Sequence, residues 1–569
     1  MGAGPVLLPP PGALPPAPRH RALTTPWLGV VVGALLVGAL LARPASILAA
    51  GLVVGVGVAV RHPLVLAAGA LLVGSILGHR ALDGLRDPPV GTVEGRATLV
   101  ADPEPGRYGT RAEVRLNGRR WQVQADGAAG GQLRAALLGE VISVRGVARA
   151  PRAGSGWMVP RHLVGTIRAD HLERVAGASW TVRGANRFRR LLADGAAVLA
   201  PSTAALFGGF VLGDDRDQPP EIVDDFRATG LTHVLVVSGQ NLAYVLVLLG
   251  PLLDRLRWRG RWTATVLVIA AFATVTRFEP SVLRASAMAA IAVTGQAVGR
   301  PQASLRALVL GVGALVLIDP LLVRSVGFQL SAGASLGILL LGGSIRRALP
   351  GPTVVAETLA TTVAAQLGVA PILLPIAGGI PVVALVANPL AVPVAGLVTT
   401  WGLPAGLVAG LGGPEVAAVA HAPTRVLIAW IAGVARLGAR LPLGELRAEH
   451  LVALVVLGGA GWLGRGRARC LAVAAMATVL ATPAVVLARW HPDDAVLTSS
   501  RAHLRHRDGQ VIVEVVGAPA PLDLLADLRR AGVVAIDRLV VPEDDPGGTA
   551  RLLAHRWPIG EVVARPPPR

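Results

Sequence analysis

Hydrophobic and polar positions follow two rhythms along this chain. Runs of roughly 15–25 apolar residues, the length of a bilayer-crossing helix, fill most of it. Two stretches instead carry a short, strand-like alternation. Three apolar spans come first, near Leu28–Leu41, Ile47–Val60 and Leu64–Leu77. Residues 90–175 then change character: Arg111–Leu116 and Trp121–Gln124 alternate with a period of two, and Val141–Ala148 reads as a further strand. Asn117-Gly118 between the first two is a hairpin signal, because both residues tolerate positive φ. Several short strands in so few residues predict a small OB-like β-barrel. Residues 183–199 come next, with Arg183, Arg187, Arg189 and Arg190 set among Phe188, Leu191 and Leu192, which reads as an amphipathic helix on the membrane surface. Spans resume near 232–252, 263–276, 281–299, 306–319, 327–343, 355–377, 383–411, 424–438, 450–464 and 470–488, with Pro389, Pro393 and Pro404 breaking the long one. The last stretch, 490–569, returns to short α/β: strand 511–516, helix 522–530, strand 535–541 and helix 548–555.

Composition agrees. Of 569 residues, 53% are hydrophobic, and the mean hydropathy is +0.58, too apolar for a soluble chain of this length. The expected fold is a polytopic α-helical membrane protein of about 12–13 spans, with an extracytoplasmic OB-like β-barrel and a short α/β C-terminal tail. The expected divisions are a disordered cytoplasmic tail (1–27), N-terminal transmembrane helices (28–80), the OB-like domain (90–175), a transmembrane core (183–488) and the tail (490–569). The first 27 residues do not read as a cleavable signal peptide, because apolar spans begin at once after them.

The formal charge is +19, and all 54 basic residues are arginine. Without lysine the chain has no Walker A phosphate lysine and forms no Schiff base, so it is not expected to be its own ATP-driven motor. The single cysteine, Cys470, forms no intramolecular disulfide and no cysteine-rich zinc site. Arg19 and Arg21 are expected to hold the N-terminus in the cytoplasm. Clusters at Arg255–Arg261, Arg300 with Arg306, Arg346-Arg347 and Arg465–Arg469 are separated by even numbers of expected spans. That places them on the cytoplasmic side, with the β module and the C-terminal tail outside.

The chemistry is concentrated in Gly230–Leu242, where His233, Ser238, Gln240 and Asn241 interrupt an apolar segment. Polar groups at that depth are costly unless they face a protein interior or a water-filled path. A 3.6-residue period places His233, Gln240 and Asn241 on one face, and Ser238-Gly239 permits close packing or a break. Arg277, Glu279 and Arg284 flank Pro280, with Glu279 a partner for either arginine. Gln329, Ser331, Gln366 and Asn388 add polar groups to other spans. Together these residues are candidates to line one cavity suited to a polyanionic strand; the competing role is interhelical hydrogen bonding. On the β module, Arg107, Tyr108, Arg111, Arg119, Arg120 and Trp121 mix cations with aromatic faces, as a single-strand nucleic-acid surface requires.

Several segments resemble the ComEC family, the inner-membrane DNA-uptake channels of natural competence. They are Leu206–Asp214, Phe226–Gly230, the His233–Asn241 motif, Pro280–Ala285, Asp319-Pro320, Gly327–Ser331, Ala365–Leu367 and Ala387–Leu390. In the family motif Ser-Gly-Leu-His, Gln240-Asn241 stand here in place of Leu-His. The resemblance implies transport of single-stranded DNA across the plasma membrane, within a lipid bilayer, with a DNA receptor and a cytoplasmic ATPase as partners and a homodimer left open. It also implies a metallo-β-lactamase-like C-terminal segment. Leu528–Val533 and Ile536–Val541 look like its lead-in, yet Pro542–Gly548 holds no histidine where the metal motif would stand. The tail is therefore expected to be a shortened, degenerate, metal-free and non-enzymatic segment, and no cofactor is expected. The alternatives are a membrane-bound hydrolase or nuclease and a transporter of another solute.

Overall fold

The computed structural model describes residues 23–106, 109–152, 154–463, 467–489, 494–497, 502–507, 509–516, 520–543 and 548–565. The chain divides into two compact units that interleave in sequence: Met1–Leu191 with Val237–Leu340, and Leu192–Val236 with Leu341–Arg569. Most described residues are helical. Among the described residues four helices are long and apolar enough to cross a bilayer: Pro63–Asp83, Val326–Ala348, Thr353–Ala377 and Ala384–Ala420. Seven shorter apolar helices accompany them.

In the first unit the helices Thr25–Leu41, Ile47–Val60 and Pro63–Asp83 fall where three spans are expected, and of the three Pro63–Asp83 has the length and apolarity of a membrane-crossing helix. Glycine explains their packing. A Cβ on Gly38 would lie 2.0 Å from the Leu71 carbonyl oxygen, and one on Gly74 would lie 2.1 Å from that of Leu35. Backbones meet there with no side chain between them, as small residues permit in apolar surroundings. Leu35 and Ala39 then join Leu308, Val312, Val316, Leu322 and Phe328 in one buried cluster.

The β module comprises β1 (Gly91–Leu99), β2 (Glu104–Gly106), β3 (Gly109–Leu116), β4 (Arg119–Ala125), β5 (Val141–Arg149) and β6 (Leu163–Ala176). The sheet order is β1-β5-β6-β4-β3-β2, and β1 also pairs with β3. The hydrogen-bonded path thus returns to its first strand. Asn117 (φ 50°) and Gly118 (φ 77°) make the β3–β4 turn, both in the left-handed region that a type I′ hairpin requires. Alternation on β3 buries Ala112, Val114 and Leu116. On β4 it sends Trp121, Val123 and Ala125 inward, so Trp121 is 2% exposed and belongs to the core. The expectation of Trp121 as a surface stacking platform is therefore corrected. The unit also contains the helices Gly127–Ala135, Gly239–Leu253, Trp258–Val275, Pro280–Ala297, Ser304–Ile318 and Val326–Gly337 and most of Trp180–Ala196.

The second unit packs Pro201–Leu212, Pro220–Ala228, Thr353–Ala377, Ala384–Ala420 and Ala422–Ala439 around edge-to-face Phe207–His421 (5.1 Å) and tilted Phe210–Phe226 (6.3 Å) ring pairs. The expected breaks at Pro389, Pro393 and Pro404 do not occur: Ala384–Ala420 stays helical through them and departs only at Gly413 (φ 81°). Proline is tolerated in membrane helices because neighbours satisfy the freed backbone groups. Strands β7 (Ile380–Pro381) and β8 (Glu445–Leu446) form a small ladder. The tail builds a five-stranded sheet, β13-β12-β11-β10-β9, from β9 (Asp494–Leu497), β10 (Ala502–Arg507), β11 (Gln510–Val515), β12 (Ile536–Pro542) and β13 (Ile559–Arg565). Helices Pro521–Arg530 and Gly548–Ala554 accompany it, over a core of Leu504, Val513, Leu524, Leu528 and Leu539.

Candidate functional site

The segment rich in polar residues is not one helix. Thr232–Leu235 forms a single turn, Val236 and Ser238 are extended, and a new helix starts at Gly239. The expected common face of His233, Gln240 and Asn241 is lost at this break. The Ser238-Gly239 pair causes it: Ser238 occupies the N-cap position with extended backbone, a conformation in which a helix begins rather than continues. His233 is exposed and falls in the second unit, whereas Ser238, Gln240 and Asn241 fall in the first.

Within the first unit, Gly239 meets the helix Pro280–Ala297. A Cβ on Gly239 would stand 2.7 Å from the Ala285 Cβ, 3.1 Å from an Arg284 guanidinium nitrogen and 3.2 Å from the Ser281 carbonyl. Ser281 Oγ donates to the Val237 carbonyl (3.1 Å), fixing the extended stretch to this helix. Arg284 Nε donates to Ser331 Oγ (2.8 Å), and another of its nitrogens lies 3.4 Å from Met288 Sδ. No carboxylate pairs with Arg284 among the described residues. Ser238 Oγ donates to Asn241 Oδ1 (3.0 Å), and Gln240 Nε2 donates to Tyr244 Oη (2.5 Å). Gln329 turns to the Val323 carbonyl (2.7 Å), a local helix-start contact. The structure thus joins Gly239, Arg284 and Ser331, while Gln240 and Gln329 bond elsewhere.

Arg277 has a different place from the one expected. It pairs with Asp102 of the β module (2.9 and 3.0 Å) and with Asn186 Oδ1 (2.7 Å), not with Glu279. Arg189 adds a 3.5 Å ion pair to Asp102 and donates to the Val275 carbonyl. Asp102 also accepts from the Leu138 amide (2.8 Å). Burial works against the Asp102 charge, yet the Arg277 and Arg189 guanidiniums hold its carboxyl below the usual carboxylate range. The helix Trp180–Ala196 therefore turns Asn186 and Arg189 into protein, rather than keeping all its arginines on a membrane surface. Asp102 lies 175 residues from Arg277, beyond any spacing rule. Glu279 sits at the N-cap of Pro280–Ala297 and is partnered.

In the second unit, Asn388 is buried, with Nδ2 on the Ala384 carbonyl (3.0 Å), and Gln366 is half-buried on Thr353–Ala377. On the β module, Arg107 and Tyr108 lie outside the described residues. Arg111 is exposed and pairs with Glu104 (2.8 Å), Arg119 donates to the carbonyls of Arg86 and Asp87, and Arg120 is half-buried on β4. Among the described residues no group of three or more His, Cys, Asp or Glu side chains is placed to hold a metal ion.

Comparison with known proteins bears on this geometry. A search of solved structures finds no significant match. The chain is 26% identical over 184 residues to ComE operon protein 3 of Bacillus subtilis (strain 168), an alignment covering 31% of this chain and 23% of that protein. It is 26% identical over 231 residues to the uncharacterized protein YcaI of Escherichia coli (strain K12), covering 37% of this chain and 30% of the relative. The matches thus span less than a third of either relative. Residues 210–469 match the family model described as Competence protein. That region includes the broken segment at Ser238-Gly239, Arg284, Ser331 and Asn388. The sequence resemblance and the match coincide: residues 210–469 are similar to the Competence protein family model, and most of the resembling segments fall within them.

Proposed function

We propose that this protein is a ComEC-type channel that passes single-stranded DNA across the cytoplasmic membrane during natural transformation. One observation carries the reading: Arg284, on an apolar helix, faces the Gly239 backbone and Ser331 with no carboxylate among the described residues to neutralise it. An arginine within a bundle is costly unless an anion meets it. A transient phosphodiester supplies that anion without blocking the way, provided binding stays weak enough for release.

Two features of the first unit support the orientation. The β module joins the loop at Arg277 through Asp102, and joins the loop at Asp319 through His162 (3.0 Å). At the opposite helix ends, Arg306 donates to the Leu23 carbonyl. In this reading the N-terminus and the arginine-rich turns near Arg257 and Arg300 face the cytoplasm, and the β module faces outward. The closed pairing path of β1, β5, β6, β4 and β3 supports an OB-like barrel that receives the strand, with Arg111, Arg119 and Arg120 near phosphates. The tail acts without metal and without hydrolysis. Energy comes from partners, in this reading a cytoplasmic ATPase, with a receptor delivering DNA.

The test compares Arg284→Gln and Arg284→Lys for uptake of labelled DNA at matched protein levels. Loss in the first and partial retention in the second support the channel. Wild-type uptake in Arg284→Gln removes Arg284 from the path. Deletion of the gene is expected to abolish transformation while surface binding of DNA persists; continued transformation sinks the proposal.

A further inference from the structure

The second unit contains a charge cluster that the channel reading does not use. Asp224 and Asp225 sit on the short helix Pro220–Ala228, immediately before the polar segment. Asp224 is 1% exposed, and its two oxygens each receive an arginine of the tail: Oδ1 takes Arg529 (2.7 Å) and Oδ2 takes Arg556 (2.8 Å). Arg556 also donates to the Ala439 carbonyl and lies over the Trp557 ring (5.5 Å). Asp225 faces His555 (3.4 Å). The two arginines come from separate parts of the tail, one ending a helix and one preceding β13, so the carboxylate grips the folded tail rather than a loose strand.

The helix is in turn tied to residues 229–235. Thr229 Oγ1 donates to the Asp225 carbonyl (2.9 Å), and the Leu231 amide donates to that of Phe226 (2.8 Å). Gly230 turns the chain at φ 67°, with its missing Cβ only 2.8 Å from the Ala384 Cβ. The Val234 amide bonds the Leu231 carbonyl, and Gln218 Nε2 bonds that of Leu235 (3.1 Å). A displacement of Pro220–Ala228 is therefore passed to His233 through short contacts.

We infer that the C-terminal tail is a clamp, in which Arg529 and Arg556 hold Asp224 and thereby position residues 229–236. Asp224, Arg529 and Arg556 are positioning residues. The clamp gives the tail a role that needs no metal. It rests on the channel reading only for what the positioned segment does. Removing one partner of a buried ion pair leaves the other charge uncompensated, which is far more disruptive than losing an exposed pair.

The full chain in lipid nanodiscs provides the test. Amide hydrogen exchange is monitored in Arg529→Gln/Arg556→Gln, in Asp224→Asn, and in Arg565→Gln, which breaks only the exposed pair with Glu514. Exchange across 220–236 is expected to accelerate about 10²-fold or more in the first two variants and to stay unchanged in the third. DNA uptake is expected to fall with it, and Arg529→Lys/Arg556→Lys, which keeps the charges, is expected to recover part of both. Unchanged exchange across 220–236 in both the double variant and Asp224→Asn overturns the clamp. Accelerated exchange with full uptake overturns its positioning role. If the wild-type protein supports no uptake at all, the channel reading falls and exchange alone decides the clamp.

Discussion

Replacing Asp102 with alanine removes the one carboxylate on which Arg277 and Arg189 converge. The side chains of Asp102, Arg189 and Arg277 are 8%, 8% and 11% exposed, so solvent replaces little of what is lost. Removing one partner of a buried ion pair costs about 3–5 kcal/mol. Part of that is offset locally. Arg277 (φ 61°) and Phe278 (φ 58°) are non-glycine residues in left-handed backbone, a conformation costing roughly 1–2 kcal/mol each, and loosening the turn relieves some of it. The net local destabilisation is about 2–4 kcal/mol, or roughly 30- to 1,000-fold faster amide exchange if opening limits it. Hydrogen exchange across 100–106, 184–190 and 274–280 in the full chain reads this directly. Arg145→Gln is the control. It removes a bidentate pair with Glu94 (2.9 Å for both contacts) in which both side chains are about 60% exposed, and exchange is expected to hold. Equal responses in Asp102→Ala and Arg145→Gln would show that the buried carboxylate does not anchor the β module to the turn at Arg277.

The same carboxyl gives a pH prediction. Its folded value lies below the ordinary one, so its contribution is complete above about pH 4 and is lost as pH falls through the depressed value. Exchange at 274–280 should therefore acquire no Asp102-dependent change between pH 7 and pH 5, and should rise in stronger acid in wild type more steeply than in Asp102→Asn. Gly74→Val places a branched side chain where a Cβ already stands 2.1 Å from the Leu35 carbonyl, and it should lower the thermal unfolding midpoint of the purified protein by several degrees or abolish its accumulation. Gly239→Val, whose Cβ would meet Ala285 at 2.7 Å and the Arg284 guanidinium at 3.1 Å, should reduce DNA uptake at normal protein levels; full uptake would separate the Gly239–Arg284 contact from transport.

Local signals were legible and long-range ones were not. Asn117-Gly118 set a hairpin between two alternating strands because the turn chemistry lies within two residues. The apolar runs gave helices close to their expected places, since burial in lipid demands intrahelical bonds. Trp121 was expected at the surface for its aromatic type, but its parity with Val123 and Ala125 sets the face it occupies. His233 through Asn241 read as a helical face until the extended Ser238 broke the period. Asp102–Arg277 and Asp224–Arg556 join residues 175 and 332 apart, and no one-dimensional pattern marks either pair. Asp102 and Asp224 look like any other carboxylates along the chain until the fold buries them and supplies their arginines.

Photo-crosslinking during uptake tests the central claim most directly. A photoreactive residue at Ser331, the partner of Arg284, should capture a labelled incoming strand, while the same group at Leu336, 42% exposed on the same helix, should not. No crosslink at 331, or equal capture at both positions, would contradict a DNA path past Arg284.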